Sequence, residues 1–202
     1  MTIDAKMVAE LRAKTGAGIV DCKKCLEEAE GDMEKAAELL RTKGIAKAGK
    51  KADRATSEGQ IYAYVHNTGK VGAMVEVSCE TDFVARNEAF KNLCHDLGMQ
   101  IVAMNPLYVS KEDVPAEVVE KERELALEEM ADSGKPAAVL EKIIEGKLGK
   151  WYGEVCLLEQ AYIKDEDLRI EDVVKNAIAT IGENIQVKRF ARYAMDGSAR
   201  TC

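Results

Sequence analysis

Six cysteines and two histidines are the side chains in this sequence best suited to chemistry. The one suggestive spacing is Cys22-Lys23-Lys24-Cys25, which could carry dithiol redox chemistry or half of a zinc site. A redox pair at this spacing opens a helix just after a strand, in a βαβ unit. Here the preceding residues read as helix and turn, and no second C-x-x-C or nearby histidine completes a metal set. Cys22 and Cys25 therefore read as small, half-buried side chains on one helix face. His66 falls at the edge of a hairpin and His95 within a later helix. Neither has a cysteine or carboxylate at a ligand or triad spacing. There is no glycine-rich phosphate loop and no nucleophile elbow. These residues predict a protein that is not an enzyme and that holds no cofactor and no metal.

The stretch Cys79-Glu80-Thr81-Asp82-Phe83-Val84-Ala85-Arg86-Asn87 departs from ordinary patterning. Thr81 or Asp82 is a good N-cap, and Phe83 stands seven residues before Phe90, on what would be one helical stripe. Capping and packing alone account for much of the segment. What they leave over is a large aromatic in the first turn, beside an acid, in a chain with only three Phe. Such a pair has the shape of a probe: the ring can anchor in a partner's pocket, and the acid brings charge to its surroundings.

The elements that position this segment follow from periodicity. Residues 3–14, 19–30 and 33–40 read as three short helices, broken by Thr15-Gly16-Ala17-Gly18 and by Gly31, with Asp32 as an N-cap. Residues 41–54 carry six basic side chains against Asp53 alone and read as a basic, partly helical linker. Period-two patterning then marks strands at 61–66 and 71–77, joined by Asn67-Thr68-Gly69-Lys70 as a hairpin. A helix is expected over 84–104, with Phe90, Leu93, Leu97 and Ile101 as its stripe. Further helices are expected at 117–130, after the Ser133-Gly134-Lys135-Pro136 break, and at 170–181, closed by Gly182. Residues 151–163 lean helical, and 185–193 closes the fold as a partly alternating strand. The sum is an α+β fold. A three-helix module (1–40) and a basic linker (41–55) precede a core (56–202) with a three-stranded antiparallel sheet and helices.

Composition narrows the function classes. The chain has 202 residues, a net charge of −7, 47% hydrophobic and 32% charged residues, as in ordinary globular proteins. No apolar run approaches the roughly 18 residues of a membrane helix, and the N-terminus lacks a signal-peptide core. A cytoplasmic protein without membrane attachment is expected. Net acidity argues against bulk electrostatic binding of nucleic acid.

Several motifs together resemble the bacterial elongation factor Ts family. Leu11-Arg12-Ala13-Lys14-Thr15-Gly16-Ala17-Gly18 followed by Asp21-Cys22-Lys23-Lys24 resembles the family's opening signature, and residues 79–87 resemble its central one. Gly134-Lys135-Pro136, Glu141-Lys142-Ile143, Leu157-Leu158-Glu159-Gln160 and Arg189-Phe190 follow in family order. The chain departs from the family in carrying Ile19-Val20 where two methionines are common, and Cys25 where alanine is. It is similar to the family's short form.

The resemblance implies a guanine nucleotide exchange factor for elongation factor Tu in translation elongation. On that reading Phe83 wedges into the G domain of the partner. Asp82, framed by Thr81 and Val84, disturbs the partner's Mg²⁺ site. Arg12, Ile19 and Val20 of a ubiquitin-associated-like module grip another helix of the G domain. The short form implies a homodimer, with residues 185–193 as a candidate edge strand. Three other classes compete. The basic linker suggests an RNA-binding factor, although it has no aromatics for base stacking. Cys22 and Cys25 suggest a thiol redox protein. A metabolic enzyme is the least favoured class.

Overall fold

The computed structural model describes residues 3–130, 136–197 and 200–202. They divide into two compact units: residues 1–60, 77–93 and 172–186, and residues 61–76, 94–171 and 187–202. The Ser133-Gly134-Lys135 break lies outside the described residues.

Three helices open the first unit. Asp4 caps α1 (Ala5–Thr15) by accepting the Lys6 amide at 3.2 Å, and Gly16, at φ 69°, ends it. The positive φ is what calls for glycine there. Helix α2 (Ile19–Glu28) starts after Gly18 with no side-chain cap. Asp32 caps α3 (Met33–Gly49) by accepting the Glu34 and Lys35 amides at 3.0 and 3.1 Å. Val8, Leu11, Cys22, Cys25, Leu26, Ala29 and Ala36 form their shared core. Helix α3 does not stop at residue 40, so residues 41–49 of the basic segment are its second half.

The period-two segments form strands β1 (Glu58–Val65) and β2 (Val71–Cys79), closed by a turn in which the His66 amide bonds the Val71 carbonyl at 2.9 Å. Gly59 is at φ 150°, and a Cβ there would lie 2.2 Å from the Val77 carbonyl oxygen. No other residue fits so close an approach. With β5 (Ile185–Ala194) these strands form the expected three-stranded antiparallel sheet, and a two-residue β6 (Arg200–Thr201) extends it. The strand order β1-β2-β5-β6 narrows one expectation. Strand β5 is not an edge along its whole length, because β6 pairs with it through Ala191–Thr201 and Arg192–Arg200.

Helix α4 (Asp82–Ala85) is a single turn, and α5 (Glu88–Met104) begins after it. Asn87 makes the break by accepting the Ala89 amide at 2.8 Å, as capping residues do. The stripe residues Phe90, Leu93, Leu97 and Ile101 are buried. Helices α6 (Ala116–Glu128) and α7 (Ala137–Val155) follow, with Ala126, Ile144 and Leu148 packed together. The helical leaning over 151–163 holds only to Val155. A short turn at Leu157–Glu159 then leads into a two-stranded hairpin, β3 (Ala161–Tyr162) and β4 (Asp165–Arg169). Helix α8 (Ile170–Ile181) has the bounds its pattern predicts and ends at Gly182, φ 96°. Gly44 of α3 lies against α8, where an added Cβ would stand 3.0 Å from that of Ala179. Among the described residues no helix is long and apolar enough to cross a membrane.

Candidate partner-binding site

The turn after β2 is built from the backbone outward. Thr81 is extended, at φ −130° and ψ 156°, and its hydroxyl accepts the Val84 amide at 3.4 Å, capping α4. Helix α4 is far too short to persist alone. Its support comes from residues about a hundred positions downstream. The Glu183 carboxylate accepts the amides of Glu80 and Thr81 at 3.1 and 3.0 Å and the Thr81 hydroxyl at 2.7 Å. In return the Glu80 carboxylate accepts the Asn184 amide at 2.7 Å, and this bond, with Arg54 nearby, holds its acid below the usual carboxylate range. The buried Asn184 side chain donates to the carbonyls of Ala52 and Arg54 at 3.1 and 2.8 Å. Cys79, beneath the turn, is buried and directs its thiol to the Thr81 carbonyl. Burial pushes that thiol up.

On this clasp Phe83 is 81% exposed. It does not continue the stripe of Phe90, which is buried, because the break at residues 86–87 separates the two helices. Asp82 is partly exposed, and its carboxylate meets the Arg86 guanidinium at 3.1 Å. Val84 is half-buried and Ala85 buried. The turn thus presents one apolar ring with one acid beside it.

The N-terminal helices present a second surface. Ile19 and Val20, in the first turn of α2, are 55% and 64% exposed. Arg12 and Ile19 share an open groove of about 690 Å³ with Ile3, Val8 and Lys23. The structure brings Arg12 and Ile19 together as one surface, with Val20 next to Ile19 in sequence.

The competing chemistries find little support. Cys22 and Cys25 are both buried, and burial raises the Cys25 thiol above its ordinary value, the reverse of a reactive cysteine. In the basic segment Lys43 pairs with Glu28 at 2.6 Å, Lys47 with Asp21 at 2.9 Å and Arg54 with Glu80 at 3.4 Å. Lys51 donates to the Gly182 carbonyl at 2.6 Å. His95 meets the rings of Tyr62 and Tyr64 edge-on at 6.1 and 5.3 Å, and Tyr64 bonds His66 through its hydroxyl at 3.2 Å. Among the described residues no group of three or more His, Cys, Asp or Glu side chains is placed to hold a metal ion.

Sequence reasoning missed Glu183 and Asn184 as parts of the site, and gave Glu80 no role although it lies within the distinctive segment. For the first two the local signal was an acid and an amide just past the glycine that closes α8.

The molecule thus displays exposed apolar side chains on a braced turn and on a helix start, the surface features of a factor rather than of a pocket-built site. Comparison with known proteins makes the class specific. The profile of the family described as Elongation factor TS matches residues 40–177. Elongation factor Ts of Fervidobacterium nodosum is 57% identical over 192 residues, covering 95% of this chain and 98% of that protein. Those of Thermosipho melanesiensis and Carboxydothermus hydrogenoformans are 56% and 53% identical over 193 residues, covering 96% of this chain and 98% and 89% of theirs. The chain belongs to the elongation factor Ts family.

Proposed function

We propose that the protein is the guanine nucleotide exchange factor of elongation factor Tu in translation elongation, working in the cytoplasm. GDP is held on a GTPase by a bridging Mg²⁺ and a phosphate-cradling loop. A factor that binds the GTPase in a state holding both poorly releases GDP without making or breaking a covalent bond. The linkage is reciprocal, so GDP weakens factor binding by the same ratio. Phe83 wedges into the G domain, Asp82 perturbs the Mg²⁺ surroundings, and Thr81 and Val84 set the turn. Arg12, Ile19 and Val20 anchor a second helix of the G domain. Residues 1–40 act as the anchoring module, 41–55 as the connection, and 56–202 as the exchange and dimerisation core.

The observation that carries this reading is Phe83. A phenylalanine side chain 81% exposed on a braced turn suits a partner's pocket. The test is co-purification with elongation factor Tu. A stable complex that added GDP dissolves is the expected result; no complex at micromolar concentration removes the reading.

A homodimer fits a second feature. Ile61 and Val65 of β1, Met74 of β2, Tyr193 of β5 and nearby Met195 are all exposed. Val65, Met74, Tyr193 and Met195 line one concavity of about 460 Å³. An apolar patch of this kind favours a second copy. Sedimentation of Met74→Lys should give monomer where the unaltered protein gives dimer.

A further inference from the structure

We infer that Glu183 is the positioning residue of the exchange turn, acting on Phe83 and Asp82 through the backbone of residues 80–81; this rests on the exchange reading above. Phe83 is too exposed for neighbouring side chains to hold it, so its direction is set by the backbone it stands on. That backbone is one short helical turn, with Thr81 at its cap. A single carboxylate fixes the entry to that turn by accepting two consecutive amides and the capping hydroxyl. Bonds to an ionised acceptor are the stronger kind.

The geometry leaves Thr81 with two duties. Its hydroxyl donates to Glu183 and accepts from Val84, so Glu183 also fixes the rotamer that caps α4. Glu183 is itself anchored. The next residue, Asn184, is buried and tied through its amide to Glu80 and through its side chain to Ala52 and Arg54. The chain runs from fixed Asn184 through Glu183 to the turn, and ends at Phe83. Glu183 touches no partner in this scheme; it determines where Phe83 points when the partner arrives.

The test measures release of fluorescent GDP from elongation factor Tu over a range of factor concentrations. Glu183→Ala is expected to lower the maximal release rate about tenfold, the scale of losing charge-assisted bonds. The half-saturating concentration should change far less, because the N-terminal surface is untouched. Glu183→Gln keeps an acceptor and should recover most of the rate. In a Phe83→Ala background the Glu183→Ala change should cost almost nothing more, since both act through one ring.

A wild-type maximal rate in Glu183→Ala, a loss confined to half-saturation, or full additivity with Phe83→Ala would overturn the assignment. If Glu183→Ala does not fold, amide hydrogen exchange in Glu183→Asp, whose carboxylate is one methylene too short to reach the turn, decides. Faster exchange at residues 80 and 81, with α1–α3 unchanged, supports it; unchanged protection at 80 and 81 overturns it. If the unaltered protein fails to speed GDP release, the exchange reading falls. The amide measurement then still reports whether Glu183 holds the turn.

Discussion

Two apolar surfaces open at helix starts in this molecule, and they are built in opposite ways. The turn carrying Phe83 is braced by residues from 52–54 and 183–184, through bonds to carboxylates and buried amides. The start of α2, carrying Ile19 and Val20, has Gly18 as its N-cap and no side-chain cap bond. Its support is a small local core under an open groove. On the proposed exchange reading the difference teaches a division of labour. A wedge must arrive in one orientation, so its frame is rigid. A grip needs only contact area, so apolar side chains on a modest module suffice.

The comparison breaks first at Phe83. Phe83→Ala should slow maximal GDP release about a hundredfold, as for removal of a central anchor. Its unfolding free energy should stay within about 0.5 kcal/mol of the unaltered protein, as expected for an exposed site. Stopped-flow release and denaturant unfolding check the two halves, and near-normal release would remove the wedge. Next comes the close approach of β1 to β2 just before the turn. Gly59→Ala meets both a forbidden φ and the Val77 carbonyl, and should destabilise by about 3 kcal/mol or more, visible in thermal unfolding.

The grip yields a smaller and different effect. Ile19→Ser with Val20→Ser should raise the half-saturating concentration about tenfold, by lost apolar burial, and leave the maximal rate nearly intact. A loss in maximal rate instead would erase the distinction between the two surfaces. The smallest effect concerns pH. The Glu80 acid is depressed in the folded state by the Asn184 amide. It therefore contributes stability above its unfolded value, near 4.5, and loses it as pH falls through the lower folded value. The stability gap between the unaltered protein and Glu80→Gln should be full near pH 6 and close as pH falls below about 4. A gap independent of pH would mean that the carboxylate bond is not what Glu80 supplies.

Much of the fold was legible because its signals are local. The α8 pattern with its closing glycine, the β1–β2 hairpin and the Asp32 cap are all carried by neighbouring residues. The apolar stripe of α5 was legible too, but its start was not. Asn87 caps a new helix, so Phe83 leaves the line on which its seven-residue spacing to Phe90 would put it. The continuation of α3 was hidden by charge, because ion pairs with Glu28 and Asp21 engage Lys43 and Lys47 of the basic run. Strand β6 and the β3–β4 hairpin contain strands too short for periodicity to register. The frame of the site was invisible for another reason. Glu183 meets Thr81 across 102 positions, and no periodic pattern encodes such a pairing.

Helix α3 has a consequence beyond packing. It joins the α1–α2 core, through Ala36, to the close approach at Gly44, and ends just before residues 51–54, which bond Gly182, Glu80 and Asn184. Its 17 residues span roughly 25 Å at the helical rise. The C-terminal end of α3 is tied to both surfaces: Lys47 pairs with Asp21, two residues past Ile19, and the residues that follow the helix bond Glu80 and Asn184. On the proposed exchange reading, a partner seated at the start of α2 therefore meets the Phe83 turn at high local concentration, and the second contact forms without a fresh search.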